Sequence, residues 1–205
     1  LMSAEVFVDQ DTSQEPERVK TYGRIIRNQT RHILSQIDRI LDQSGKGGSL
    51  RPKKELFDLT NLLQSMEEEF NIPIRNKKGS LRMELPDQAV LVNADALMIR
   101  QVLFNLIDNA IKYSADNPAV DIIMTIQGKG GTLCIRDAGI GIPDQYRKRI
   151  YDRFFRVPAG NVHNVKGFGL GLHYVKRVLD QHGWKLRLQS KAGAGTSINI
   201  KFKSQ

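Results

Sequence analysis

The chain has 205 residues and a single cysteine, Cys134, which excludes an internal disulfide framework and any zinc cluster built on cysteine. Within the apolar run "TLCIRD" this thiol reads as buried and structural. No apolar run approaches the roughly 18 residues that crossing a bilayer requires. The opening "LMSAEVFVDQDTSQEPE" has no basic n-region, so it does not read as a signal peptide. Aromatic residues make up only 7% of the chain, and no Arg/Lys stripe interleaves with them. The net charge of +9 is scattered, with short pairs at Lys53–Lys54 and Lys77–Lys78. Such a charge permits an anionic surface or a phosphorylated ligand without selecting either. No nucleic-acid motif is present, and nucleic acid is not expected as a partner.

What is present is enough apolar material, 40% of residues, for one good core with a helical appendage. Residues 16–43 carry Val19, Tyr22, Ile26, Gln29, Ile33, Gln36 and Ile40 at 3–4 spacing, which predicts one long helix opened by Pro16. At 1.5 Å per residue such a helix would be about 42 Å long and would need partners. The apolar "LMSAEVFV" before it reads as the tail of another helix, so residues 1–46 are expected to belong to a helical hairpin. "SGKGGS" (44–49) marks a boundary, beyond which strands alternate with helices. Expected strands are "KELFDL", "SLRMEL", "AVLVNA", "VDIIMTIQ", "TLCIRDA", "WKLRLQS" and "SINIKF". Expected helices are "TNLLQSMEEEF" with Thr60 near its N-cap, "DALMIRQVLFNLIDNAIKYS" with Leu97 on its apolar side, "DQYRKRIYDRFFRV", and a last one stopped by Gly183. The pattern predicts an α/β fold, a two-layer sandwich in which a mixed sheet is covered by helices on one face.

Four elements supply polar groups of one chemical theme. Asn105, Asp108, Asn109, Lys112 and Tyr113 fall at i, i+3, i+4, i+7 and i+8 of one helix and so share a face. An amide oxygen is a hard ligand suited to Mg²⁺, and an ammonium suits a phosphate. A solvated face is the plainer reading, but asparagine is a poor helix former and two in one apolar helix need a reason. In "RDAGIGIP", Asp137 ends an apolar strand before Gly139 and Gly141. It either caps the turn or takes an adenine amine as its hydrogen-bond partner. "YDRFFRV" sets Arg153 and Arg156 around a phenylalanine pair that reads as core or hinge anchor. "VKGFGLGLHYV" alternates Gly167, Gly169 and Gly171 before an amphipathic helix, an arrangement that favours an anion at the helix N-terminus.

In this order the four stretches resemble the N, G1, F and G2 boxes of the sensor histidine kinases of two-component systems. Their ATP-binding domain is the Bergerat-type sandwich shared with the Hsp90, gyrase B and MutL ATPases. The ending with Trp184, Ser190, Gly193, Gly195 and Thr196 is also similar to the kinase branch. The resemblance implies ATP and Mg²⁺ as cofactors, with Asn109 on the metal and Asn105 beside it in the phosphate region. It implies Lys112 and Arg156 near phosphate, Tyr113 beside the base or ribose, and Asp137 on adenine in a pocket shaped by Gly139 and Gly141. Residues 157–166 would form a lid, and Gly167, Gly169, Leu170 and Gly171 a phosphate cradle. Residues 1–46 would be the C-terminal part of the dimerisation hairpin and 47–205 the catalytic domain. The implied partners are a response-regulator receiver domain and a second copy of the chain, on the cytoplasmic side of a parent that a membrane anchors in some members.

One family feature is missing. The phosphoacceptor histidine is followed by an acidic residue that serves as its base. Here His32, His163, His173 and His182 are followed by Ile33, Asn164, Tyr174 and Gly183. The chain is therefore expected to be a piece of a longer kinase that binds nucleotide without phosphorylating itself. His32 reads as a structural histidine of the second hairpin helix, His163 as a lid residue, and His173 and His182 as ordinary helix residues. A nucleotide-binding but non-catalytic signalling module is the alternative. A chaperone or topoisomerase ATPase is disfavoured by the long helix directly before the sandwich.

Overall fold

The computed structural model describes residues 52–114, 117–158 and 169–204. The chain divides into two compact units, Leu1–Arg51 and Pro52–Gln205, and the account that follows is of the second. The expectations for the helix at 16–43, the hairpin of 1–46, the boundary at 44–49, His32 and His163 lie outside the described residues, as do Gly167 and most of the expected lid.

The element order is β1 (Glu55–Asp58), α1 (Leu59–Asn76), β2 (Ser80–Glu84), β3 (Leu91–Ala94), α2 (Ala96–Lys112), β4 (Ala119–Ile126), β5 (Gly130–Asp137), α3 (Gly171–His182), β6 (Lys185–Ser190) and β7 (Thr196–Lys203). Five strands form one mixed sheet in the order β2-β4-β5-β7-β6, and β1 pairs with β3 in a separate two-stranded ribbon. β2 runs parallel to β4, and the other neighbours in the large sheet are antiparallel. Alternation along the strands decides which face is covered. Val120, Ile122 and Met124 of β4, Leu133 and Ile135 of β5, and Ile198, Ile200 and Phe202 of β7 are buried against the helices. The intervening residues, among them Asp121, Thr125, Arg136 and Lys201, stay on the uncovered face. This is the expected two-layer sandwich.

Helix α2 is the middle of the covering layer. Ile99, Val102, Leu103, Leu106, Ile107, Ala110 and Ile111 fall on one stripe and are buried. Fully burying each large member of that set contributes about 1.5–3 kcal/mol. Leu97 does not join them. It is 79% exposed, because it precedes Ile99 by two residues and so lies about 200° around the helix from it.

The structure corrects four further expectations. Asp58, not Thr60, caps α1: its Oδ1 accepts the Thr60 and Val90 N–H groups at 2.9 and 3.1 Å. The same helix runs past Phe70 to Asn76, through an exposed Pro73, because burial of Ile74 rewards another turn. "DQYRKRIYDRFFRV" is not a continuous helix but two short 3₁₀ turns, Asp144–Tyr146 and Arg149–Tyr151. Phe154 then takes a positive φ of 61°, which an α-helix does not tolerate. Cys134 is half-buried on the uncovered face, its Sγ 3.4 Å from the Ser197 hydroxyl.

His182 does more than fill a helix position. Its Nδ1 faces the Val178 carbonyl at 2.8 Å, and its Nε2 accepts the Asp95 N–H at 3.0 Å. Asp95 in turn caps α2, its Oδ1 accepting the Met98 N–H at 3.0 Å. The ring therefore ties the C-terminus of α3 to the start of α2. Replacing His182 by alanine orphans a half-buried N–H, and we expect a loss of about 1–2 kcal/mol in urea unfolding. A wild-type midpoint would show that the bond carries no stability.

Candidate functional site

The polar face of α2 passes the start of α3. Asn105, Asp108 and Asn109 are half-buried along it, while Lys112 and Tyr113 at its end are exposed. The Asn105 Nδ2 donates to the Gln101 carbonyl at 2.9 Å, which leaves its oxygen toward Gly171. A Cβ added at Gly171 would lie 3.4 Å from that oxygen and 3.9 Å from the Asn109 Nδ2. The first residue of α3 thus lies directly against the two amides. Leu170 precedes α3 and supplies no side-chain cap to the N–H groups of its first turn. Those donors beside two amide side chains form a set suited to an anion and a hard cation together.

Lys112 is engaged rather than free: its Nζ sits 2.5 Å from the Asp108 carboxylate, one turn back. Tyr113 caps α2, and its carbonyl accepts the Ile140 N–H at 3.0 Å. That bond joins the helix to the loop after β5, the D-x-G-x-G stretch. Gly139 is buried there, with the Tyr113 carbonyl 2.5 Å from where its Cβ would stand. Arg156 is exposed, on the segment leading toward α3.

Asp137 ends β5 on the covered face. Its Oδ1 accepts the Gly139 N–H at 2.8 Å, so it does cap the turn. The Thr196 N–H, across the β5–β7 ladder, also stabilises the carboxylate. Burial nonetheless outweighs both and holds its pKa above the ordinary carboxylate value. Two donors leave acceptor capacity on an ionised carboxylate, which offers about four lone-pair sites. Capping and a further hydrogen bond are therefore compatible, not alternatives.

Sequence reasoning gave the terminal hairpin a family likeness but no place in the site, and it holds the Asp137 loop in position. The loop and the turn between β6 and β7 touch backbone to backbone. Gly141 has φ +64° with the Lys191 carbonyl 1.9 Å from an added Cβ, and Gly195 has φ +78° with the Asp137 carbonyl at 2.1 Å. A side chain at either would be strained and would force the two turns apart. The Ser190 hydroxyl accepts the Ile142 N–H at 2.8 Å and donates to the Gly195 carbonyl at 2.9 Å. The hint in the sequence was only that Ser190, Gly195 and Thr196 belong to an ending similar to that of the kinase branch.

On the other flank, His173 is not an ordinary helix residue. Its Nδ1 faces the Tyr151 carbonyl at 2.9 Å, and its Nε2 accepts from the Arg153 Nε at 3.1 Å. The Phe pair divides. Phe155 packs between Tyr146, at 5.8 Å between centroids, and the Arg149 guanidinium, at 4.4 Å. Phe154 is 59% exposed. Gly169 backs onto the Phe155 carbonyl, 2.6 Å from an added Cβ, which docks the start of α3 on this segment.

Several known proteins resemble this chain. The model for histidine kinase-, DNA gyrase B- and HSP90-like ATPases matches residues 94–205. The chain is 31% identical over 205 residues to the sensor protein RprX of Bacteroides fragilis, covering 97% of this chain and 39% of that protein. It is 29% identical to the sensor histidine kinase YkoH of Bacillus subtilis, covering 94% of this chain and 41% of that protein. It thus spans about two fifths of the length of these relatives. Among solved structures, a mycobacterial sensor histidine kinase, MprB, superposes with a TM-score of 0.61 at 29% identity, over 74% of this chain and 98% of that one. Histidine kinase ThkA in complex with response regulator protein TrrA shares the fold, with a TM-score of 0.66 at 22% identity over all of this chain and 57% of that one.

The raised pKa of Asp137 has a sign that can be checked. Ionising a carboxylate whose folded pKa is raised costs stability, and the cost sets in as pH climbs from the ordinary value of 3.8 through the raised one. Asp137→Asn is therefore expected to unfold at higher denaturant than wild type at pH 7. Its advantage should vanish at acid pH, where both side chains are neutral. A difference that does not change with pH would refute the assignment.

Proposed function

Because the chain belongs to the histidine kinase-, DNA gyrase B- and HSP90-like ATPases, we propose that residues 47–205 bind ATP with Mg²⁺ as the catalytic portion of a sensor histidine kinase. One observation carries the proposal: the uncapped start of α3 meets the Asn105–Asn109 face of α2 at Gly171, with Asp137 anchored beside the far end of that same helix. A phosphate chain and a purine base need those two kinds of site on one wall.

Each end of the site has work that its residues suit. Asp137 accepts the exocyclic amine of adenine, with Gly139 and Gly141 keeping the loop low enough for a flat base and Tyr113 beside it. The N–H groups at Gly169, Leu170 and Gly171, with Gly167, hold phosphate oxygens. Asn109 is the residue to hold Mg²⁺, with Asn105 adjacent and turned toward Gly171 by Gln101. When bound, the metal would neutralise and orient the phosphates. Lys112 reaches phosphate by exchanging its Asp108 partner, and Arg156 approaches from the other flank.

Such sites act by positioning and charge stabilisation more than by covalent chemistry. In the complete kinase the γ-phosphoryl group would pass to a histidine nitrogen, with ADP leaving, and then to an aspartate of a response-regulator receiver domain. None of the four histidines here has an acidic neighbour, so the acceptor would come from sequence outside this chain. Residues 1–46 would pair two kinase copies through a helical hairpin, with the catalytic portions on the cytoplasmic side. Among the described residues no helix is long and apolar enough to cross a membrane.

Calorimetric titration with ATP and Mg²⁺ tests the reading. Asp137→Asn removes a charge-assisted hydrogen bond and should weaken binding about 10- to 100-fold. Asn109→Ala should abolish the gain in affinity that Mg²⁺ brings. Unchanged nucleotide affinity in both variants would overturn the site.

A further inference from the structure

The basic residues look scattered in the sequence, yet the sheet topology collects them. Lys185 and Arg187 of β6, Lys201 and Lys203 of β7, and Arg136 of β5 alternate with side chains of the core and so share the uncovered face. All five are exposed. Lys185 and Lys201 are directly opposite across the β6–β7 ladder, and Arg136 and Gln189 flank Ser197. Like charges directly opposite destabilise a sheet, so this pairing has a cost. Among the described residues no ion pair joins any of the five to an acidic side chain. A depression of 610 Å³ at the Arg136 end, lined by Arg147, Arg187 and Lys191 and by one carboxylate, Asp137, carries the excess of cations onto the turn after β6.

We propose that this face, formed by β5, β7 and β6, docks on an anionic lipid surface. What the face lacks selects that occupant. The large apolar side chains exposed among the described residues are Leu56, Ile72, Leu91, Leu97, Tyr113, Ile140 and Phe154, and none is on these strands. A protein partner held on this face would find no apolar or aromatic anchor for the dry centre that protein interfaces build on. A single-stranded nucleic acid would find no ring to stack on. Asp121 stands opposite Arg136 across the β4–β5 ladder, which leaves four cations with no acidic residue opposite them. Such an array on an open surface suits a plane of delocalised negative charge, which needs no particular geometry. Asp137 alternates with Arg136 along β5 and faces the helices, although it also lines the depression at the end of the strand.

The test is sedimentation of the full chain with vesicles of phosphatidylserine and phosphatidylcholine, or of phosphatidylcholine alone. Binding should require phosphatidylserine and fall steeply between about 0.05 M and about 0.5 M salt, where screening shortens the reach of the charges. Each Lys or Arg near such a surface contributes roughly fivefold, so Lys185→Gln, Arg187→Gln and Lys201→Gln together should lower binding about 100-fold. A variant with the same charge loss elsewhere, Lys53→Gln with Lys54→Gln and Arg75→Gln, should stay within about twofold of wild type. Retained thermal unfolding and ATP binding in the triple variant would show that it folds. If it does not fold, the Arg136→Gln and Lys203→Gln pair takes its place, with an expected loss of about 25-fold. Equal binding to both vesicle types, or undiminished binding by the folded variant, overturns the proposal. So does tighter binding to a duplex oligonucleotide than to the vesicles in the same buffer.

Discussion

Helix α2 is pinned at both ends by hydrogen bonds from elements far away in sequence. His182, at the end of α3, accepts the N–H of the residue that caps its start, and the loop after β5 donates to the carbonyl of Tyr113 at its finish. Between these points the helix has no freedom to slide. Its apolar stripe is locked into the core, and its amides are held at a fixed distance from the first turn of α3. A shift of one residue along the axis would rotate Asn105 and Asn109 by about 100° and take both away from Gly171.

The second constraint is electrostatic. Asp137 is kept where burial disfavours its charge, and the backbone N–H groups of Gly139 and Thr196 offset only part of that cost. The donors come from a loop and a hairpin that glycines allow to touch directly. Stability is given up at this one carboxylate when it ionises. The Lys112–Asp108 pair has the opposite character: it is half-exposed, cheap to open and able to change partners.

Much of this was legible because several elements carry their information in spacing. Asn105, Asn109 and Lys112 declare a shared face, and Asp137 followed by two glycines declares a strand that ends in a tight turn. The two-layer sandwich followed from strands alternating with helices. Where the physics is tertiary, the sequence was silent. The stretch from Asp144 to Phe155 has helix-forming residues, but Phe155 stacks on Tyr146 and Arg149 and Phe154 adopts a positive φ, neither of which a local pattern records. Thr60 was a plausible cap, yet Asp58 has the better position because it also binds Val90 from the next loop. His173 and His182 passed as ordinary helix residues since their partners lie 22 and 87 residues away. The cations at Arg136, Lys185 and Lys201 are similarly dispersed along the chain and adjacent only across strands.

Arg136 and Asp137 are neighbours in the chain but belong to opposite faces of one strand, each with its own charge environment. Insertions and deletions therefore have unequal consequences along this stretch. An extra residue in the turn between β4 and β5, at the exposed Gly128 and Lys129, lengthens a loop and leaves both side chains facing as they do. One extra residue inside β5 would exchange them, turning the carboxylate out to the cationic side and driving a guanidinium into the core. In this strand length variation is confined to the tip, and the parity of every residue between tip and turn is fixed.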